Sequence, residues 1–149
     1  VYPVHLNPKV REPVGRILAG HPRIRLVEPL PYEPFVRLMN LAYLIVTDSG
    51  GIQEEASVLG KPVLVLRKVT ERPEVLEAGL AKLVGTDSRR ILEETERLLR
   101  DKALYRSTAK KAELFGDGRS AERIVEVLRC RRRPARVPPK LSSGAGDGP

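Results

Sequence analysis

Apolar residues along the chain fall into two rhythms. Short, mostly apolar runs, Ile24-Arg25-Leu26-Val27, Tyr43-Leu44-Ile45-Val46, Pro62-Val63-Leu64-Val65-Leu66 and Ala81 to Val84, have the length and composition of strands. Val1 to Val4 reads as the end of another. Between them, apolar residues recur at helical spacing. Val10, Val14, Ile17 and Leu18 mark one face of a helix that opens on the Asn7-Pro8 cap pair and runs to about Gly20, with Pro13 predicting a kink or a late start. Phe35, Leu38, Met39 and Ala42 mark a second helix over Pro31 to Ala42, and residues 52–59 a third. Pro73 opens a short helix that Gly79 can end.

Beyond Asp87 the pattern is helical throughout. Ile91, Leu92, Thr95, Leu98 and Leu99 share a face behind Ser88 as N-cap, a further helix covers about 101–114, and Ala121, Ile124, Val125 and Leu128 give a last amphipathic helix after the Gly116-Asp117-Gly118 break. Strands alternating with helices predict an α/β fold, a Rossmann-like parallel sheet with right-handed crossovers and helices on both faces. No internal repeat is present.

Composition narrows the picture little. A chain of 149 residues, 41% hydrophobic and 31% charged, is ordinary for a globular domain. No apolar run reaches the roughly 20 residues that cross a bilayer. The lone Cys130 can form no internal disulfide, which suits a reducing, cytoplasmic setting. The chain opens on Val1 instead of Met, from which an upstream segment is expected. The net charge of +8 raises the question of a nucleic-acid partner, and its distribution answers it. Six basic residues against Asp147 give residues 129–149 a balance of +5, so the preceding 128 carry only +3. The excess sits in a Pro/Gly/Ser-rich stretch without an aromatic to stack on a base, read as a disordered tail after a domain of residues 1–128.

Thr47-Asp-Ser-Gly-Gly-Ile-Gln-Glu-Glu55 joins a predicted strand to a predicted helix, the arrangement that presents backbone N–H groups to a phosphate. Gly50 and Gly51 lack a Cβ, Ser49 offers a hydroxyl, and Glu55, one turn beyond Gly51, can accept both hydroxyls of a ribose. Arg72, on the loop after the next strand, can fork onto a diphosphate. Singly, each has a plainer reading: a cap and turn, a solvated helix charge, a surface ion pair. Their convergence at neighbouring strand ends points to a nucleotide diphosphate. Around it stands no catalytic acid/base set. His21 reads as an exposed residue at a helix end. His5 has two readings, a group on the ligand edge or a structural bond to the Asn7 turn. Neither histidine has partners at metal-ligand spacing.

Tyr2-Pro-Val-His-Leu-Asn-Pro8, Arg11-Glu-Pro-Val14, Phe35-Val-Arg-Leu-Met39, the run from Thr47 to Ala56, Gly60-Lys-Pro-Val-Leu-Val-Leu-Arg67, Thr70-Glu-Arg-Pro-Glu74 and Gly116-Asp-Gly118 together resemble the C-terminal half of the non-hydrolysing UDP-N-acetylglucosamine 2-epimerases, over about residues 1–128. The resemblance implies the C-terminal domain of a glycosyltransferase-B-like, two-domain, usually dimeric enzyme. Such enzymes interconvert UDP-N-acetylglucosamine and UDP-N-acetylmannosamine for envelope polysaccharides, by abstraction of the C2 proton, elimination of UDP and its re-addition. It implies no separate cofactor and no metal. It assigns Ser49, Gly50 and Gly51 to the diphosphate, Glu55 to the ribose, Phe35 to the uracil, Arg72 to the phosphates, and His5 to a second, allosteric substrate molecule. The family's acid/base carboxylates and a Gly-His-Arg histidine match nothing here and are expected in an N-terminal domain, so the chain alone is expected to be inactive. Pro31 stands where members often have Asp, and Ser57 where many have Pro. Weighed against this are a transferase's nucleotide half, a non-catalytic UDP-binding remnant and, last, a basic nucleic-acid binder.

Overall fold

The computed structural model describes residues 1–131. The chain divides into a unit of Val1–Phe115 and a second that starts at Gly116. In the first, five short strands alternate with helices: β1 (Tyr2–Pro3), α1 (Pro8–Leu18), β2 (Leu26–Val27), α2 (Tyr32–Leu41), β3 (Ile45–Thr47), α3 (Gly50–Leu59), β4 (Val63–Val65), α4 (Pro73–Glu77), β5 (Ala81–Leu83), α5 (Ser88–Arg100) and α6 (Lys102–Thr108). The second unit carries α7 (Ser120–Arg131). Arg129 to Arg131, which composition placed in the tail, are therefore its last turn. The rest of the expected tail lies outside the described residues.

Every strand pairing is parallel, and the strands form two ladders where one sheet was expected. β1 pairs with β2, and β3–β4–β5 form a three-stranded sheet with β4 central. Proline leaves β1 without a donor on its other edge. The Tyr2 and Val4 N–H groups donate to Arg25 and Val27 of the β2 side, at 2.7 and 2.9 Å. The alternate residue, whose N–H would serve the opposite edge, is Pro3, which has none.

β4 shows why its sequence is apolar without alternation. Val63 and Val65 face Ala56 of α3, with Ile45, Ala81 and Leu83 packed around them. Leu64, on the opposite face, meets Val84 and Leu98 of α5, flanked by Leu44, Leu66, Ile91 and Leu104. A strand covered on both faces must be apolar at both parities. Burying a side chain such as Leu64 contributes about 1.5–3 kcal/mol. On the α5 face, Lys82 of β5 pairs with Glu94 at 2.7 Å.

The helix starts follow their caps. The Asn7 side chain accepts the Lys9 N–H at 3.0 Å, ahead of Pro8 in the first turn. Pro13 lies inside α1 without ending it. α5 is capped by Asp87, whose carboxylate accepts the Arg90 N–H at 2.9 Å, so Ser88 is the first helical residue and not the cap expected. Gly79 ends α4 with φ 70°, as expected. In the second unit Gly116 and Gly118 both take positive φ, 114° and 78°, forming the expected turn. Asp117 between them accepts the Arg119 N–H and a two-pronged contact from Arg123, at 2.9 and 2.7 Å, which fastens the turn to α7. That contact holds the Asp117 carboxyl below its usual range.

Candidate nucleotide site

β3 delivers the chain to the carboxyl edge of its sheet at Thr47, where a side-chain bond turns it. The buried Thr47 hydroxyl accepts the Ser49 N–H at 3.1 Å, and α3 begins at the next residue. Ser49 is the N-cap, extended at φ −82° and ψ 132°, yet its hydroxyl makes no capping bond and the first turn holds no acidic residue. The early N–H groups of α3 therefore keep no side-chain partner from the cap. Gly50 and Gly51 are the first two helical residues. A Cβ on either would meet nothing within 4 Å, and neither has a positive φ. Neither internal packing nor backbone conformation requires glycine there, and the space beside both positions is open.

Behind this turn is a set of hydrogen bonds that sequence reasoning missed. Gln53 is fully buried. Its Nε2 donates to the Ser49 carbonyl at 3.1 Å, and its Oε1 accepts from the Thr70 hydroxyl at 2.7 Å. The same Thr70 oxygen accepts the Arg72 N–H at 3.1 Å. Arg72 Nε then donates to Glu54, and its guanidinium also reaches the Glu71 carbonyl at 3.0 Å. Thr47, Ser49, Gln53, Thr70, Arg72 and Glu54 thus join the ends of β3 and β4 into one polar unit. The spacing alone sets Gln53, Ala56 and Ser57 on one face of α3 at i, i+3 and i+4; the fold buries that face, and a polar residue there needs a partner.

Of the expected residues, Ser49, Gly50, Gly51 and Arg72 come together. The Arg72 side chain, which the sequence pointed at a phosphate, is paired with Glu54 and kept firmly protonated, first by that hydrogen bond and then by the same carboxylate's charge. Glu54 is one helical turn from Gly50, so the guanidinium is anchored along the row of the glycine turn. Glu55 occupies the neighbouring row, one turn from Gly51. It is half-buried, and burial, then the adjacent Glu54 charge, raises its carboxyl above the usual value. Phe35 is half-buried on α2, which packs against α3. His5 is exposed beyond β1 and outside this unit; its Nδ1 accepts the Asn7 N–H at 3.1 Å, the second of its two readings. His21 is exposed past the end of α1, with Nδ1 accepting from Arg23 at 3.3 Å. Among the described residues no three His, Cys, Asp or Glu gather as a metal site, and no helix is long and apolar enough to cross a membrane.

The parallel sheet, helices on both faces and glycine turn at the carboxyl edge make this a Rossmann-like α/β domain. The profile of the UDP-N-acetylglucosamine 2-epimerase family matches residues 1–129, and the chain belongs to that family. It is 57% identical over 132 residues to the UDP-N-acetylglucosamine 2-epimerase of Escherichia coli K12, covering 89% of this chain and 35% of that one. The Campylobacter jejuni enzyme of the same name is 51% identical over 128 residues, 86% of this chain and 33% of its own. The chain thus spans about a third of the length of these relatives. Among solved structures, the Neisseria meningitidis UDP-GlcNAc 2-epimerase bound to UDP-GlcNAc superposes with a TM-score of 0.83 at 46% identity, over 86% of this chain and 34% of that one. The S. aureus MnaA–UDP co-structure gives 0.82 at 47%, over 87% and 36%.

Proposed function

We propose that the chain is the UDP-holding part of an epimerase that interconverts UDP-N-acetylglucosamine and UDP-N-acetylmannosamine. The observation that carries the reading is the glycine turn at the start of α3, with unblocked N–H groups, hydrogen-bonded through buried side chains to the Arg72 loop. A diphosphate is an anion with several acceptors. It is matched by helix N–H groups, each end contributing about 0.3–1 kcal/mol, by the Ser49 hydroxyl and by the unspent donors of a guanidinium. Glu55 takes the ribose hydroxyls and Phe35 flanks the uracil. His5, outside the polar unit, remains the candidate for a second substrate molecule. UDP or UDP-GlcNAc in the solved relatives' complexes supports this choice of ligand.

In this reading the chain binds and orients UDP while it departs and returns. A partner domain supplies the groups that remove and restore the C2 proton, and the assembled enzyme is a dimer. The single, exposed Cys130 thiol suits a reducing cytoplasm. The test is an amide NMR titration of the 149-residue chain with UDP. A dispersed spectrum whose shifts concentrate at Ser49–Glu55 and Arg72, with a Kd of about 1 mM (about −4 kcal/mol), is expected. A dispersed spectrum indifferent to UDP overturns the reading.

A further inference from the structure

We infer that Gln53 and Thr70 are positioning residues of this site: a buried amide and a hydroxyl that set where the glycine turn and Arg72 stand relative to each other. The inference rests on the nucleotide reading and adds to it two residues that need not touch the ligand.

The chemistry of the two side chains carries it. A primary amide presents a donor and an acceptor on a rigid plane, and Gln53 spends one on each loop: Nε2 on the Ser49 carbonyl, Oε1 on the Thr70 hydroxyl. Fixing that carbonyl fixes the plane of the Ser49–Gly50 peptide, hence the direction of the Gly50 N–H. The Thr70 hydroxyl gives its single proton to Gln53, which leaves its oxygen free to receive the Arg72 N–H. The proton order therefore runs one way, from Arg72 through Thr70 to Gln53 and on to Ser49. A fully buried polar side chain that lost a partner would be costly, so the bridge has little freedom to open. Arg72 is thereby held twice, by its backbone through Thr70 and by its side chain through Glu54. Of the two, only the Glu54 contact lies on the guanidinium itself.

Two consequences separate this from a merely structural role. Removing the Thr70 hydroxyl should free the Arg72 N–H and leave Gln53 Oε1 without its donor, while the Gln53 bond to the Ser49 carbonyl persists. It should also weaken UDP binding only when Arg72 is present. The experiment uses Thr70→Val, Thr70→Ser, Arg72→Ala and the Thr70→Val/Arg72→Ala pair in the 149-residue chain, read by amide hydrogen exchange and by UDP titration. Expected is faster exchange of the Arg72 amide in Thr70→Val but not in Thr70→Ser. UDP affinity should fall about fivefold in Thr70→Val, the order of one hydrogen bond, and be rescued in Thr70→Ser. Thr70→Val should cost little more once Arg72 is alanine, because the hydroxyl acts on binding by placing the guanidinium, which alanine lacks.

Gln53→Leu, which removes both halves of the bridge, should lose affinity at least as far; if it fails to fold, the threonine series still decides. A Thr70→Val chain that binds UDP as tightly as the parent, or whose loss adds fully to that of Arg72→Ala, overturns the inference. A parent chain that does not respond to UDP overturns the nucleotide reading and this inference with it. That failure is recognised by the flat parent titration, which the first two outcomes exclude.

Discussion

In the proposed reading, Glu55 would serve binding at the expense of folding. Its carboxyl is raised by burial and by Glu54, so the folded chain holds the proton more tightly than the unfolded one. Its contribution to stability is therefore full below the unfolded value and is lost as pH rises through the raised folded value. Replacing it by Gln removes an ionised group that the fold disfavours at neutral pH. Glu55→Gln should be slightly more stable than the parent at pH 7 by urea denaturation, with that advantage shrinking as pH falls through the weakly acidic range. With the ribose role proposed for it, the same variant should bind UDP more weakly, because an amide offers one uncharged acceptor oxygen where the carboxylate offers two charged ones. Stability and affinity that fall together would argue against the ribose role.

Gly60 offers a second residue-scale test. It ends α3 at φ 68°, and a Cβ there would stand 2.9 Å from Lys111 Cγ and 3.2 Å from the Lys111 nitrogen. The lysine chain can yield; the backbone beside it cannot yield easily. Gly60→Ala should cost about 1–3 kcal/mol, seen as a lower urea midpoint at unchanged slope. The sequence revealed such residues unevenly. Ser49, Gly50 and Gly51 were legible because a glycine pair after a strand has few explanations. Gln53 was not, because its role depends on Thr70, which is distant in sequence and reaches it only through the fold.

At the scale of elements the helical and strand periods gave the order of pieces, and local chemistry moved their ends. Asp87 took the cap expected of Ser88 because a carboxylate one position earlier reaches the Arg90 N–H. The helix expected over 101–114 stops at Thr108 for a tertiary reason. The Ala112 N–H donates to the Ser57 carbonyl at the end of α3 at 3.1 Å, a bond available only outside the helix. Thr108 eases the exit by returning its hydroxyl to the Leu104 and Tyr105 carbonyls. Beside the packing of Leu104 on the Leu64 cluster, α6 is held by its start and by one aromatic pair. Asp101 accepts the Ala103 and Leu104 N–H groups, both at 2.9 Å. Tyr105 stacks on Tyr43 at 4.0 Å and donates to the Tyr43 carbonyl ahead of β3. Asp101→Ala should cost about 1 kcal/mol in urea unfolding, with Asp101→Asn recovering most of it. An equal loss in both variants would show that the charge, and not the cap, is what matters.

For the whole molecule the question is how far a chain that spans about a third of its relatives' length can carry the proposed reaction. Epimerisation at C2 requires a group to take the proton from one face of the ring and a group to return it on the other, each within hydrogen-bond reach. At the glycine turn Glu54 is committed to Arg72, and the proposed reading gives Glu55 to the ribose. Among the described residues of the turn, Asp48 remains, exposed, one carboxylate where two faces must be served. UDP-N-acetylglucosamine incubated with the chain in D2O should therefore keep its C2 proton signal by NMR and form no UDP-N-acetylmannosamine, under conditions in which UDP still shifts Ser49–Glu55. Proton exchange at C2 without epimer would mean that one acid/base group does lie within this chain, and Asp48→Asn would then test it. Full interconversion would overturn the division of labour, because a domain that only orients the diphosphate can lower no barrier to moving a proton on the sugar.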